Sequence, residues 1–142
     1  MIERIDHIAI AVHAIDASLP YYRNELRLVL VHDEVLPEVG VRLAYLDAGN
    51  SMLQLVEPLA AGPVATFLAE HGEGLHHICF AVEAIPDVLQ RLTGETEARL
   101  FMGGRQRRCA FLVHRPNGLL TELTETRPSA ALVASLAEGA RE

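Results

Sequence analysis

The N-terminal stretch of this chain is repeated 70 residues further along the sequence. Residues 4–19, RIDHIAIAVHAIDASL, align without a gap with residues 74–89, GLHHICFAVEAIPDVL, and seven of the sixteen aligned positions are identical. Two copies at a fixed offset indicate a duplicated structural unit, which constrains the fold more than any single element does. The chain is therefore expected to consist of two similar modules.

Each copy begins with a strand-like run and continues into a segment with apolar residues at helical spacing. Three further strand-like runs follow in each half, and the turn-forming stretches DAGNS and RPNG separate the last two. The pattern predicts βαβββ, then a bridging segment with a short helix at about 64–71, then βαβββ again. The end of the chain predicts an appended helix with Ser129 as its candidate N-cap.

These elements predict an α+β protein of two tandem βαβββ modules. A chain of 142 residues has the length of one domain and can bury a core. We expect a single domain over 1–126. The first module covers about 3–58, the bridge 59–73 and the second module about 74–126, followed by the helical extension at 127–142.

Composition excludes several classes of function. The net charge of −7 argues against a nucleic-acid partner, and all twelve basic residues are arginine, so no Schiff-base or Walker lysine exists. The apolar runs are too short to span a membrane and no signal segment is seen, so we expect a cytoplasmic protein. Cys79 and Cys109 lie in apolar strand-like runs and are expected to be core thiols of a reducing compartment.

The two adjacent histidines of HHICFAV point to opposite faces of a strand and cannot share one role. The second residue of DH is His7, and the second residue of HH is His77. In each strand this histidine shares its face with small residues only. The bulky residues of each strand share the other face, which suits packing under the helix. The pattern predicts a hollow with His7 and His77 at its rim.

A polar residue also lies in the middle of the fourth strand of each half. Gln54 in MLQLVEP and Glu122 in LLTELTE are 68 residues apart, close to the offset of the repeat. A buried polar group is costly unless it is paired or coordinated. Two imidazoles, an amide oxygen and a carboxylate can bind one divalent transition metal, with positions left for water or substrate. We therefore predict one metal site formed by His7, Gln54, His77 and Glu122.

Each of these residues has a simpler interpretation when it is taken alone. A single strand histidine is more often structural than a ligand, and a mid-strand Gln or Glu often faces solvent. The coincidence of four such residues at repeated offsets favours the metal site. His76 is expected to face the helix side or the strand end and to be structural. The other histidines are expected to have no role in the site; they are His13, His32, His71 and His114.

The stretches that carry these predictions resemble the vicinal oxygen chelate (glyoxalase/bleomycin resistance) superfamily, and within it the methylmalonyl-CoA epimerase family. The similar stretches are IDHIAIAV, LPEVGVRLAYLDAGN, LQLVEPL, FLAEHGEGLHHICF and FLVHRPNGLLTEL, between about Ile5 and Glu125. LPEVGV and EHGEGLHHI are the most specific of these. The resemblance implies that the two modules form a curved, barrel-like mixed sheet around the metal site.

The resemblance further implies an isomerase that epimerises the carbon between the thioester and the carboxylate of an acyl-CoA. The family's metal positions fall on the four residues predicted above, and cobalt is favoured over manganese, nickel, zinc and iron as the divalent ion. The ion would chelate both carbonyl groups and stabilise an enolate. Glu122 would be a ligand and the catalytic base, while a second group reprotonates the opposite face. Superfamily members of this length imply a homodimer, without a nucleic-acid or membrane partner.

Two features depart from the family pattern. Some members carry a second carboxylate shortly after PExGV, and Leu43 occupies that position here, so the opposite acid/base is unassigned, with Tyr45 and Glu38 as substitutes. The segment TGETEARLFMGGRQRRCAFLVHRPNGLL is shorter than the family's, near where an acyl-CoA would lie. Three of its arginines are either contacts for CoA phosphates or solvated surface; they are Arg105, Arg107 and Arg108.

Other functions within this fold are alternatives. A glyoxalase I-like isomerase or lyase acting on a small thiol adduct usually has Glu where this chain has Gln54. The amide leaves one negative charge fewer on the metal, which favours an anionic ligand. An extradiol dioxygenase needs two histidines and one carboxylate and is a poor match. A metal-free, antibiotic-type binding module would use the same hollow without chemistry, and four retained ligands argue against it.

Overall fold

The computed structural model describes residues 1–128. The last strand extends to Pro128, two residues beyond the predicted end of the second module. The remainder of the predicted C-terminal extension, 129–142, lies outside the described residues.

Within residues 1–128 the elements follow the predicted order of βαβββ, helix, βαβββ. The strands are β1 (Ile2–Ala11), β2 (Val29–Leu36), β3 (Val41–Asp47), β4 (Met52–Pro58), β5 (Gly74–Val82), β6 (Leu100–Met102), β7 (Arg107–Phe111) and β8 (Thr121–Pro128). The helices are α1 (Ile15–Pro20), which continues as a π-helical turn (Tyr21–Glu25), α2 (Pro63–His71) and α3 (Ile85–Arg91). The bridging helix α2 confirms the prediction for 64–71.

Contacts between Cα atoms divide the chain into two compact units. The first unit is residues 5–79, and the described part of the second unit is residues 1–4 with 80–128. In the first unit the strand order is β2-β3-β4-β1-β5, with β1 parallel to β4 and the other assigned pairs antiparallel. In the second unit the order is β5-β8-β7-β6, with β7 antiparallel to both neighbours. Each unit combines strands with helices, which confirms the α+β class, whereas the single-domain boundaries stay a prediction.

The two faces of the first unit's strands have separate cores. The core on the helix side consists of Val12, Ile15, Ala44, Leu46 and Leu55. The core on the opposite face consists of Ala9, Val41, Leu43, Tyr45 and Val56. The bulky residue Ile10 packs on the helix side and the small residue Ala9 on the other. This is the division that the alternation in IDHIAIAV predicts.

The first residue of α1 and of α3 is capped by a carboxylate from a distant strand. The backbone N–H of Ile15 donates to Glu57 Oε1 at 2.6 Å, and that of Ile85 donates to Glu125 Oε2 at 2.9 Å. The residue before each helix is an alanine, and neither cap position has a side-chain hydrogen bond. The glutamates therefore satisfy N–H groups that have no partner inside the helix, and they place negative charge at its positive end.

Glu125 also binds an arginine of β7. Arg108 Nε donates to Oε1 at 2.6 Å, and Arg108 Nη2 donates to Oε2 at 2.7 Å. Burial would raise the pKa of Glu125, but the hydrogen bonds from Arg108 and Ile85 and the charge of Arg108 lower it below its ordinary value of 4.5. The neighbouring apolar core of the second unit consists of Val82, Ile85, Val88, Ala110 and Leu123.

Cys79 and Cys109 are buried, as predicted, and they are not joined in a disulfide. Within residues 1–128, no helix has the length and apolar character that a membrane crossing requires.

Candidate active site

His7 lies in the middle of β1, with only 2 % of its surface exposed. Its Nδ1 is 2.7 Å from Oδ2 of the buried Asp6 carboxylate, so Nδ1–H donates to that oxygen. This contact selects the tautomer in which Nε2 presents a lone pair. The same arrangement, with a carboxylate behind the ring, is usual for histidines that bind metals.

His77 lies at the equivalent position of β5 and is also buried. Its Nδ1 is 2.8 Å from Nδ1 of His76, and the His76 ring packs edge-on against Phe67 of α2 with centroids 5.0 Å apart. In the tautomer that leaves a lone pair on Nε2, His77 Nδ1–H donates to His76 Nδ1. His76 therefore has a structural role, because it orients the ring of His77.

The Nε2 atoms of the two imidazoles face each other. Nε2 of His7 and Nε2 of His77 are 3.4 Å apart, and the ring centroids are 5.4 Å apart. Two lone pairs repel each other at this distance unless a proton or a cation lies between them. Two nitrogen ligands of one tetrahedral zinc ion, each about 2.1 Å from it, are separated by about 3.4 Å. The donor atoms and their spacing therefore fit a divalent transition-metal ion.

Gln54 is buried in the middle of β4, opposite Ala9 of β1. Its Nε2 donates to the hydroxyl oxygen of Tyr45 at 2.8 Å. Because the amide group is planar, this bond directs Oε1 away from the hydroxyl and presents it as an acceptor or a metal ligand. The Tyr45 ring also contacts His7 edge-on, with centroids 5.7 Å apart. Tyr45 thus connects two of the predicted ligands.

Strand register arranges the side chains around Gln54 in rows. One row across β2, β3, β4 and β1 consists of His32, Tyr45, Gln54 and Ala9. The next row consists of Glu34, Leu43, Val56 and Ala11. We call the face of the first unit that carries these two rows and His7 the site face.

Glu122 is the counterpart of Gln54 in the second unit. It is buried in β8, opposite Phe111 of β7. The next residue, Leu123, belongs to the core on the helix side, so Glu122 points to the other face of its strand. The orientation agrees with the sequence pattern, and the part of Glu122 in a metal site stays a prediction.

The residues considered for the opposite acid/base differ in their positions. Leu43 is buried in the core of the site face and has no exchangeable proton. Tyr45 is 1 % exposed, and its hydroxyl accepts the hydrogen bond from Gln54. Glu38 lies in the exposed turn after β2. Neither predicted substitute therefore places a carboxylate on the site face, and the role of either as the acid/base stays a prediction.

The three arginines considered for CoA phosphates also differ. Arg108 donates to Glu125 through Nε and Nη2. A contact of any of the three arginines with a phosphate stays a prediction.

The partners of the two histidines were not predicted, although the repeat contains a signal for them. Asp6 and His76 occupy equivalent positions, each directly before a site histidine. Each is polar, and each binds Nδ1 of the histidine that follows it. The repeated pair of polar residues, rather than the repeated histidine alone, was the informative feature.

Comparison with known proteins places this geometry in a family. A family model described as the Glyoxalase/Bleomycin resistance protein/Dioxygenase superfamily matches residues 6–110. Since this match covers more than half of the chain, the chain belongs to that superfamily.

Individual relatives narrow the class. The uncharacterized protein YqjC of Bacillus subtilis is 38 % identical over 130 residues, which cover 87 % of this chain and 93 % of YqjC. The ethylmalonyl-CoA/methylmalonyl-CoA epimerase of Cereibacter sphaeroides is 34 % identical over 134 residues, which cover 88 % of this chain and 99 % of that protein. A variant of Streptomyces coelicolor methylmalonyl-CoA epimerase in complex with 2-nitronate-propionyl-CoA has a TM-score of 0.78 and 35 % identity, covering 92 % of this chain and 97 % of that one. These relatives confirm the prediction of an epimerase-type enzyme.

Proposed function

We propose that the chain is a metal-dependent epimerase of a 2-substituted malonyl-CoA, with methylmalonyl-CoA as the substrate. The named substrates of its relatives support an acyl-CoA of this kind. The observation that carries the proposal is the pair of His7 and His77 nitrogens 3.4 Å apart, beside a Gln54 amide whose orientation Tyr45 sets.

In this proposal one divalent ion is held by His7 Nε2, His77 Nε2, Gln54 Oε1 and the Glu122 carboxylate, and cobalt is the favoured metal. Such an ion supplies Lewis-acid chemistry, because it stabilises the negative charge that develops on a thioester carbonyl oxygen when the α-proton leaves. The neutral Gln54 amide leaves the protein ligands with a single negative charge, that of Glu122. A site of this charge favours an anionic substrate such as a malonyl thioester.

Glu122 acts as the base in the proton-transfer step. The α C–H bond breaks, the proton passes to a carboxylate oxygen of Glu122, and the electron pair moves toward the thioester carbonyl oxygen. Asp6 and His76 hold the two imidazoles from behind, so the rings keep their orientation while charge moves in front of them.

Several finer points stay predictions beside this proposal. They are the identity of the metal, the homodimeric state and the cytoplasmic location. A glyoxalase I-like activity on a small thiol adduct is the alternative within the superfamily, and Gln54 argues against it.

The test is proton exchange in deuterated water. Metal-loaded protein is incubated with methylmalonyl-CoA, loss of the α-proton is followed by NMR, and an EDTA-treated sample runs alongside. We expect exchange that depends on metal. The His77→Ala variant should lose both bound metal and exchange, whereas His71→Ala is the matched control, because His71 is an exposed histidine of α2.

The possible outcomes separate the metal site from the reaction. Protein that binds metal but exchanges no α-proton would contradict the epimerase and leave the ligand set standing. Turnover of a hemithioacetal by the same sample would then favour the glyoxalase alternative. A His77→Ala variant with unchanged metal content would contradict the ligand set itself.

A further inference from the structure

Epimerisation needs two proton carriers, because the new C–H bond forms on the side of the carbon opposite to the bond that broke. This inference rests on the proposed function, in which Glu122 serves one side. The substitutes expected from the sequence do not place a carboxylate on the site face. Tyr45 is buried with its hydroxyl bound to Gln54, and Glu38 lies in an exposed turn.

The carboxylate of Glu34 lies on the site face. In the strand register Glu34 is opposite Leu43 of β3, in the row next to the one that contains Gln54. Two strand spacings of about 5 Å separate β2 from β4, and the rows are two residues or about 7 Å apart along the strands, so the backbones of Glu34 and Gln54 are about 12 Å apart. A small acyl group bound beside Gln54 fits within that span and lies in reach of both side chains.

A β-bulge in β2 turns this side chain onto the site face. The register shifts by one residue between Leu30 and His32. Leu30 packs against the core on the helix side, so strict alternation would keep His32 and Glu34 on that side as well. The extra residue moves both onto the site face, and bulges commonly re-aim side chains beside active sites.

His32 accompanies Glu34 at this position. Nε2 of His32 is 3.2 Å from Oε1 of Glu34, within ion-pair distance, yet it is not aligned for a hydrogen bond. The side chains of His32 and Glu34 are 41 % and 21 % exposed, whereas Tyr45 is 1 % exposed. Part of each side chain is therefore open to solvent, while the His32 Nε2 atom that faces Glu34 is buried, so the rest of the imidazole ring links Glu34 to solvent. An imidazole can both accept and donate a proton.

We propose that Glu34 is the second catalytic acid/base of the site and that His32 carries protons between Glu34 and solvent. After Glu122 has taken the α-proton, the O–H bond of protonated Glu34 breaks and its proton forms the new C–H bond. The electron pair for this bond comes from the enolate, whose carbonyl group re-forms. Glu34 then regains a proton from water through His32, and Glu122 releases its proton to water, so the step consumes nothing.

The test follows inversion and exchange separately. Each epimer of methylmalonyl-CoA is incubated in deuterated water with the metal-loaded Glu34→Gln variant. We expect inversion to fall by about 10²–10⁴-fold, while the epimer that Glu122 deprotonates still takes up deuterium. The other epimer should lose exchange. Asp33→Asn is the matched control, since Asp33 lies on the opposite face of β2, where it binds Arg42, and its loss should leave both rates close to those of the wild type.

Glu34→Asp guards against a variant that fails to fold. It keeps the acid and shortens the side chain, so partial inversion is expected, with circular dichroism and metal content like those of the wild type. A folded, metal-loaded Glu34→Gln variant that inverts at the wild-type rate, or that loses exchange of both epimers equally, would overturn the assignment. Wild-type protein that exchanges neither epimer would instead overturn the proposed function.

Discussion

The two units place different partners opposite their mid-strand polar residues. In the first unit Gln54 lies opposite Tyr45 and donates to its hydroxyl, whereas in the second unit Glu122 lies opposite Phe111, whose ring has no hydrogen-bonding atom. An amide has one donor end and one acceptor end and must be oriented before its oxygen can serve as a ligand. The two oxygens of a carboxylate are equivalent. The Tyr45 hydroxyl therefore orients the Gln54 amide, whereas a carboxylate presents an oxygen in either orientation.

The difference extends to the outer strands. The Tyr45 ring lies beside the His32 ring with centroids 5.8 Å apart, while Phe111 stacks on Phe101 of β6 with centroids 5.7 Å apart. β2 has eight residues and β6 has three, so the first unit has a further residue, Glu34, on the same face beyond the aromatic pair. Both units thus have an aromatic contact beside the mid-strand polar residue, and only the contact in the first unit includes rings with polar atoms.

The largest effect is expected from removing the carboxylate that distinguishes the second unit. Glu122→Gln gives both units the same residue and deletes the proposed base, so α-proton exchange should fall by about 10²–10⁴-fold. Exchange rates by NMR and metal content check this result. The reciprocal Gln54→Glu variant keeps a ligand oxygen and should lose far less activity. A Glu122→Gln variant with the wild-type exchange rate would refute the role of Glu122.

The next effect concerns the helix caps that the two units share. Glu125→Gln weakens the charge-assisted bonds to Arg108 and the cap of α3, and should cost about 2 kcal/mol of unfolding free energy at pH 7. Glu57→Gln weakens only the cap of α1 and should cost about 1 kcal/mol. Urea unfolding of both variants measures the difference.

Lowering the pH should remove the contribution of Glu125 to the free energy of unfolding. Folding lowers the pKa of Glu125 below 4.5, so the unfolded chain binds more protons in acid. The stabilisation is complete above the unfolded pKa and is lost as the pH falls through the lower, folded pKa. The stability difference between wild type and Glu125→Gln should therefore shrink from pH 7 towards pH 3, and a constant difference would contradict this account.

A smaller effect is expected from making the first unit like the second. Tyr45→Phe removes the hydroxyl that orients Gln54, so metal affinity should fall by about tenfold and stability by about 1 kcal/mol. Metal titration and thermal unfolding measure the two. Phe111→Tyr is the reciprocal control and should leave metal affinity unchanged. Unchanged affinity in Tyr45→Phe would show that Gln54 needs no orienting partner.

The smallest effect concerns the arginines on the helix side. Arg108 donates hydrogen bonds to the buried Glu125, whereas Arg42 donates to Asp33 and Asp16. The side chain of Asp16 is 81 % exposed. Asp16→Asn should change stability by no more than about 0.5 kcal/mol. The hydrogen bonds from Arg42 lower the pKa of Asp33, so that pair persists in the variant at neutral pH. Unfolding in urea measures the change. A loss of stability as large as that of Glu125→Gln would show that the exposed ion pair matters as much as the buried one.

Much of the architecture was predictable because it depends on local patterns. The repeat at an offset of 70 predicted the order of the elements, and alternation predicted which faces of β1 and β5 turn towards the helices. The repeat also singled out His7 and His77, whose nitrogens the fold brings together. Strand alternation has a period of two residues and is readable wherever the strand is regular.

The rest was decided by contacts between segments that are distant in sequence. The sequence by itself determined two βαβββ modules and the polar residues inside their strands. Only the tertiary structure decided that Glu57 and Glu125 cap the helices, that Tyr45 orients Gln54, and that Glu34 reaches the site face. Each of these depends on the register between strands, and a single extra residue in β2 reverses the direction of every side chain after it.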